Sequence, residues 1–291
     1  MKITNNLGPH CSNALYHAAR QSLYTPVEGQ IRVSELIDAP MVRRLRTMHA
    51  DEIIVPVERL IPSLMGTAWH SLMEKYTDPS EVSERRMYRE YPDFNVTLTG
   101  QLDNYNPATC TISDYKETSS MKFIRKDFLK WEQQQNIYAD LANENGMPVK
   151  TICIYVNVKD WSKYKAFQGG DYPRFRHMRL ELPLWPHDQA DAFIRERLAL
   201  HAQDVPDVCT PEERWQKETE YALMKKGRKS AVRCMESAQE IEAYALDKKI
   251  KIDGITHWIQ ERPGEDTRCE GWCDVCDFCP YYQMKAKECA A

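Results

Sequence analysis

The sequence predicts a mixed α/β fold in which a central mixed β-sheet is flanked by helices, and three observations carry that expectation. Residues 86–116 break into three turn-bounded runs rich in β-formers, the pattern of an antiparallel meander. VKTICIYVNV, residues 149–158, is a nearly unbroken apolar and β-branched run, as in a strand buried on both faces. Around these runs, apolar residues recur at helical spacing, as at Leu64, Ala68 and Leu72.

Taken in order, the first 30 residues read as mixed and loop-like, with one helix around residues 12–22. RVSELIDAPMVRRLR offers Ser34 as an N-cap, and Pro40 splits it into two short helices. Ser63 is expected to cap the helix LMGTAWHSLMEKY, where Thr67, His70 and Glu74 line one side. Strands are expected at 86–91, 95–103 and 109–116, with turns at Pro92-Asp93 and Asn106-Pro107. A helix over 128–145 ends at Gly146, before Pro148. The strand at 149–158, another near 178–184 and a helix near 188–202 complete the core, giving a first region at 1–204. Residues 205–291 form a charged, cysteine-bearing region expected to pack on that core.

Composition narrows the class. With 42% hydrophobic and 28% charged residues, the chain of 291 residues can bury a sizeable core. A net charge of −4 exerts no overall pull toward polyanions, so nucleic acid would have to be met by a local basic patch. No apolar run approaches the ~18 residues of a membrane span, and the N-terminus lacks a hydrophobic signal region. The expected location is cytoplasmic, with no membrane partner. Ten cysteines in a reducing compartment point to metal ligands rather than disulfides.

The stretch TGQLDNYNPATCTISDYKETSS, residues 99–120, sets charge where a sheet should carry core. A period of two places Cys110, Ile112, Asp114 and Lys116 on one face, so an apolar face becomes charged at its end. On the following helix, Gln134 shares a stripe with Trp131, Tyr138 and Leu141.

Four motifs in order, GTAWH ending at His70, GQLD ending at Asp103, DYK at Asp114 to Lys116 and QNIY from Gln134 to Tyr138 (as QQNIY), resemble the PD-(D/E)xK nuclease core, or restriction-endonuclease-like fold, in its RecB-like branch. The resemblance covers residues 32–158, and CTPEERW and MKKGRKSAVR further on are similar to phage exonucleases of this type. It implies a Mg²⁺- or Mn²⁺-dependent deoxyribonuclease. Asp103, Asp114, the Tyr115 carbonyl and His70 would be the metal ligands. Lys116 would orient the attacking water, while Gln134 and Tyr138 brace the site. Glu90 reads equally as a family carboxylate or as an exposed strand residue, and Glu74 as a partner of His70 or a solvated helix residue.

RCEGWCDVCDFCPYY has the spacing C-x3-C-x2-C-x2-C, dense enough to signal a metal or cluster site. In RecB-like relatives three C-terminal cysteines and a distant one hold a [4Fe–4S] cluster. The resemblance assigns that trio to Cys269, Cys273 and Cys279, leaving Cys276 aside. Where those relatives carry a Cys-Pro, this chain has Ala39-Pro40, so Cys209 is taken as the fourth ligand. Zinc on the four local cysteines is the alternative. Cys11, Cys110, Cys153, Cys234 and Cys289 read as core or incidental thiols. Lys225, Lys226, Arg228 and Lys229 form either a nucleic-acid patch or a solvated charge run at a helix end.

Together these imply a DNA exonuclease of phage recombination or replication, partnered with DNA and with a phage single-strand annealing protein. The alternatives are a non-catalytic nucleic-acid-binding subunit and an endonuclease of the same superfamily.

Overall fold

The computed structural model describes residues 1–23 and 26–290, with residues 288–290 as backbone alone, so Cys289 lies outside the described side chains. The chain divides into two compact units, Met1–Asp207 and Val208–Ala291. In chain order the first unit runs β1 (Lys2–Thr4), α1 (Asn13–Gln21), β2 (Gln30–Arg32), α2 (Val33–Leu36), α3 (Pro40–Met48), β3 (Ile54–Pro56) and α4 (Val57–Lys75). It continues through β4 (Val82–Tyr91), β5 (Val96–Asn106), β6 (Thr111–Thr118), α5 (Ser120–Ile124), α6 (Leu129–Glu144), β7 (Thr151–Val158), α7 (Lys163–Gln168), β8 (His177–Leu182) and α8 (His187–His201).

The helix starts differ from expectation for local reasons. Ser12 caps α1, its hydroxyl accepting from the Leu15 N–H. Ser34 caps nothing: Arg32 holds the N-cap position of α2, and Glu35 reaches back to accept the Arg32 N–H. Pro40 opens α3, where a missing N–H is harmless. Ser63 lies inside α4, which starts at Val57 and runs through Pro62, and its hydroxyl donates to the Leu60 carbonyl. The loop-like N-terminus also contributes β1, parallel to β3.

The sheet of the first unit is mixed, in the order β2-β5-β6-β7-β8, with β4 also on β5. β4 and β8 pair antiparallel to β5 and β7, whereas β6 and β7 run parallel from Thr111↔Thr151 to Thr118↔Val158. β5 meets β6 over only three rungs, Asn106↔Thr111, Tyr105↔Ile112 and Asn104↔Ser113, after which the ladder stops. That gap lies beside Asp103 and Asp114. Cys110 is not a strand residue: it sits in the turn at φ +53, one rung before β6.

Leu98, Leu102, Ile112, Ile152, Ile154 and Val156 pack with Ile137 and Leu141 of α6 in the core. At Gly100 a Cβ would stand 2.7 Å from the Tyr138 ring and 3.0 Å from Leu141, so only glycine lets α6 come this close. Arg89 of β4 bridges Asp140 of α6 and Asp191 of α8, and His187 Nδ1 lies 2.7 Å from the same Asp140. A buried carboxylate tolerates this position because it is paired.

The second unit runs α9 (Pro211–Arg214), β9 (Gln216–Lys217), β10 (Glu220–Lys225), β11 (Arg233–Met235), α10 (Ala238–Asp247), β12 (His257–Arg262), β13 (Glu265–Asp266), α11 (Thr267–Gly271) and α12 (Pro280–Ala290). β10 is the middle strand of an antiparallel sheet, and Leu223 packs there against Ile241 and Ala245 of α10. No helix among the described residues is long and apolar enough to cross a membrane.

One buried group links this fold to pH. His201 Nε2 lies 3.1 Å from the Leu36 carbonyl, while Nδ1 is buried without a partner. Burial, aided by Arg197 and Arg43, pushes its pKa down to about 4. Between the ordinary 6.5 and about 4, the unfolded chain therefore takes up a proton that the folded chain refuses. Stability is expected to fall as pH drops through that window, by up to about 1.4 kcal/mol per pH unit. Urea unfolding of wild type and His201→Gln checks it: the difference in slope should appear only below pH 6.5, and identical slopes would reject the assignment.

Candidate active site

Asp103 stands on β5 just past its last rung with β6, and its two oxygens have different partners. Oδ2 accepts the Tyr115 N–H at 2.9 Å, and Oδ1 lies 3.3 Å from Nδ1 of His70, on α4. Across β4, Glu84 falls between the rungs Ser83↔Asn104 and Arg85↔Leu102, opposite Asp103, with its backbone at φ +50. One ligand atom from each of His70, Glu84 and Asp103 lies within 4.8 Å of the others. This acid–imidazole group can hold a divalent metal: two hard carboxylates and one nitrogen suit Mg²⁺ or Mn²⁺.

Asp114 and Lys116 stand at the same fork, on β6. Lys116 Nζ is 2.8 Å from Oδ2 and 3.0 Å from Oδ1 of Asp114, which is 3% exposed. The Lys116 ammonium thus answers the buried Asp114 carboxylate. Gln134 Nε2 lies 3.4 Å from the Tyr138 hydroxyl, and the charges of Asp114 and Lys116 both act on that tyrosine.

The electrostatics are those of crowded acids. Burial, with Asp103 adding to it, lifts Asp114 to about 6 against the pull of Lys116. Glu84 is raised by burial and then by Asp103, while the Gln101 amide, 2.6 Å away, opposes the rise. Burial works against the Lys116 ammonium, but Asp114 outweighs it and raises its pKa. His70 is raised first by its hydrogen bond to Asp103. Burial thus raises the two acids, and their carboxylate partners raise the two bases.

Of the residues singled out in the sequence, His70, Asp103, Asp114, Lys116, Gln134 and Tyr138 gather here. Tyr115 contributes its N–H to Asp103. Glu84 escaped the sequence reading, which weighed Glu90 and Glu74 instead. Glu90 lines a separate cleft with Gly29 and Gln30, whereas Glu74 borders the same cleft of about 410 Å³ as His70 and Glu84. The available signal was the strand itself, which begins at Val82, four residues earlier than its β-rich run suggests.

In the second unit Cys209 and Cys269 are drawn together by Arg214. Its guanidinium donates to the Cys209 carbonyl and, at 3.2 Å, to Asp266, which opens α11. Although burial opposes it, Lys285, Tyr281 and Arg214 hold the Asp266 carboxyl below the usual range. Burial pushes the Cys209 thiol up to about 12, with Glu213, Cys279 and Cys269 adding to it, and Cys269 up to about 11, with Cys273, Asp266 and Cys279 adding. Cys276 Sγ lies 3.8 Å from Asp277 Oδ1. Among the described residues no three of these sulfurs fall within 4.8 Å of one another.

Lys225, Lys226, Arg228 and Lys229 are exposed, but not at a helix end as one reading expected. They form the reversal between β10 and β11, where Gly227 at φ +80 permits the turn and the Arg228 N–H donates to the Lys225 carbonyl.

No protein-family model matches the chain, and no curated protein matches it. Among solved structures it is similar to that of SSO0001, with 15% identity and a TM-score of 0.47 over 66% of this chain and 85% of that one. It also resembles, at 14% identity and a TM-score of 0.29, a phage-related exonuclease from Haemophilus somnus 129PT, over 65% of this chain and 78% of that one.

If His70, Glu84 and Asp103 hold the metal, His70→Ala and Glu84→Gln should each weaken Mn²⁺ binding by about tenfold or more, since even outer partners of ligands are worth 10–100-fold. Calorimetric titration of the apo protein measures it, and unchanged isotherms in both variants would remove the assignment.

Proposed function

We propose that this chain is a metal-dependent DNA exonuclease with a PD-(D/E)xK core of the RecB-like branch. The observation that carries the reading is the convergence, at the fork where β5 and β6 part, of the His70–Glu84–Asp103 group with the Asp114–Lys116 pair. The ordered motifs around His70, Asp103, Asp114–Lys116 and Gln134 support the same reading.

In phosphodiester hydrolysis a divalent cation held by this donor set lowers the pKa of water and neutralises charge at the phosphate. His70, Glu84 and Asp103 would hold it, and Asp114, paired with Lys116, would add a carboxylate beside them. The chain supplies the rest. Lys116, kept charged by Asp114, presents an ammonium for orienting a nucleophilic water and for offsetting charge at the scissile phosphate. Tyr138, its phenol pushed up to about 12, stays a neutral donor and is steadied by Gln134. Gly100 lets that ring reach the site.

The reading extends to a structural [4Fe–4S] cluster on Cys209, Cys269, Cys273 and Cys279. The C-x3-C-x5-C spacing of Cys269, Cys273 and Cys279, similar to the trio of RecB-like relatives, supports this extension, with zinc as the alternative.

Asp114→Asn and Lys116→Ala should each lower cleavage by about 10²-fold or more, comparable to losing one preorganised stabilising donor, while DNA binding persists. Digestion of end-labelled linear and circular DNA with Mg²⁺ or Mn²⁺ tests it, with circular dichroism confirming the fold. Wild-type rates in either variant would refute the catalytic assignment, and cutting of circles would favour an endonuclease. For the cysteines, anaerobic purification followed by iron, sulfide and zinc analysis should return iron and sulfide, lost in Cys209→Ser and retained in Cys276→Ser. Zinc alone would overturn the cluster.

A further inference from the structure

Between β7 and β8 the chain leaves the sheet for an arm, residues 159–176, that contains α7 and displays its aromatics to water. Phe167 is 91% exposed, Tyr164 72% and Phe175 56%. A cluster of bare rings on a folded surface marks a place where something else binds. The charge is equally uneven. The arm carries Lys159, Lys163, Lys165, Arg174 and Arg176 against two aspartates, a local charge of +3 on a chain whose total is −4. Both aspartates are engaged elsewhere: Asp160 accepts from the Ser120 N–H and hydroxyl at 2.6 and 2.9 Å, and Asp171 pairs with Lys126 at 3.1 Å. Cations and rings interleave, with Arg174 5.2 Å from the Phe175 ring, Arg176 5.8 Å from Trp161 and Lys165 5.8 Å from Tyr172.

The arm ends on a row of rings that leads to the metal group. His177, the first residue of β8, lies parallel to Tyr155 with centroids 6.0 Å apart. Tyr155 stacks at 6.0 Å on Tyr115, whose ring meets His70 edge-on at 6.5 Å. A cleft of about 620 Å³ opens along Tyr115, Tyr155 and His177.

We propose that this arm and ring row bind a single DNA strand, its unpaired bases stacking on Phe167 and Tyr164 and its phosphates meeting the arm's cations, and lead that strand's end toward the metal group. The proposal rests on the nuclease reading for its direction of travel and deepens it by naming the strand state that is gripped. Charge alone would hold single strands and duplexes alike. Bare rings discriminate, because only an unpaired base offers a free face to stack on.

Fluorescence anisotropy in metal-free buffer, with a labelled single-stranded oligonucleotide and the blunt duplex of the same sequence, provides the test. The double variant Tyr164→Ala/Phe167→Ala should bind the single strand at least about tenfold more weakly, as expected for losing two stacking platforms, and the duplex within about twofold of wild type. Phe167→Trp, which keeps a ring, should retain the wild-type affinity. Both truncated rings are exposed, so the thermal midpoint should hold. A single-strand affinity within about twofold of wild type, or an equal loss on both DNA forms, overturns the proposal. The assay needs no cleavage, so the two readings can fail separately. A protein that grips single strands through these rings yet cuts nothing refutes the nuclease, whereas one that cuts DNA ends while the double variant binds normally refutes the arm.

Discussion

The carboxylate of Asp103 is the point on which the first unit's site depends. Where β5 and β6 stop pairing, the Tyr115 N–H faces away from any strand partner, and Asp103 Oδ2 takes that donor. The other oxygen turns to His70 and so ties α4 to the sheet. One side chain thereby closes a gap in the backbone ladder and orients an imidazole, and it remains an oxygen donor for a cation. An unsatisfied buried N–H costs about 1–3 kcal/mol, so losing this carboxylate would injure the fold and the chemistry together.

Around that point three acids crowd together. Lys116 pairs with Asp114 and His70 with Asp103, while Glu84 accepts from the Gln101 amide. Burial raises the Glu84 and Asp114 carboxyls, and the charge of Asp103 adds to both shifts. Strongly perturbed acids in a cleft are a mark of function rather than of stability, since a folding sequence gains nothing by burying them. The second unit solves a different problem, holding thiols near one another through Arg214 and the buried Asp266.

Much of this was legible in the sequence where a simple period governs the backbone. Asp114 and Lys116 share a face because β6 is regular, and the apolar run of β7 announced a buried strand. The helix over α6 was readable to within a residue at each end because Gly146, at φ +78, stops it. Legibility ended where local rules were overridden. Ser63 reads as the start of a helix, but α4 passes through it and Pro62 because its first turn is set further back, at Pro56 and Val57. Glu84 escaped because it lies before the β-rich run, between two rungs of β4 and β5 at a left-handed backbone position that no pattern of residue types encodes.

That turn at Glu84 sets folding and chemistry against each other. A residue with a Cβ held at φ +50 sacrifices roughly 1–2 kcal/mol, which glycine would recover. Glycine has no carboxylate, so the residue best suited to the backbone is the one that would empty the site of an acid. Any search for sturdier versions of this protein that scored folding alone would reach for this position early and break up the His70–Glu84–Asp103 group while strengthening the chain.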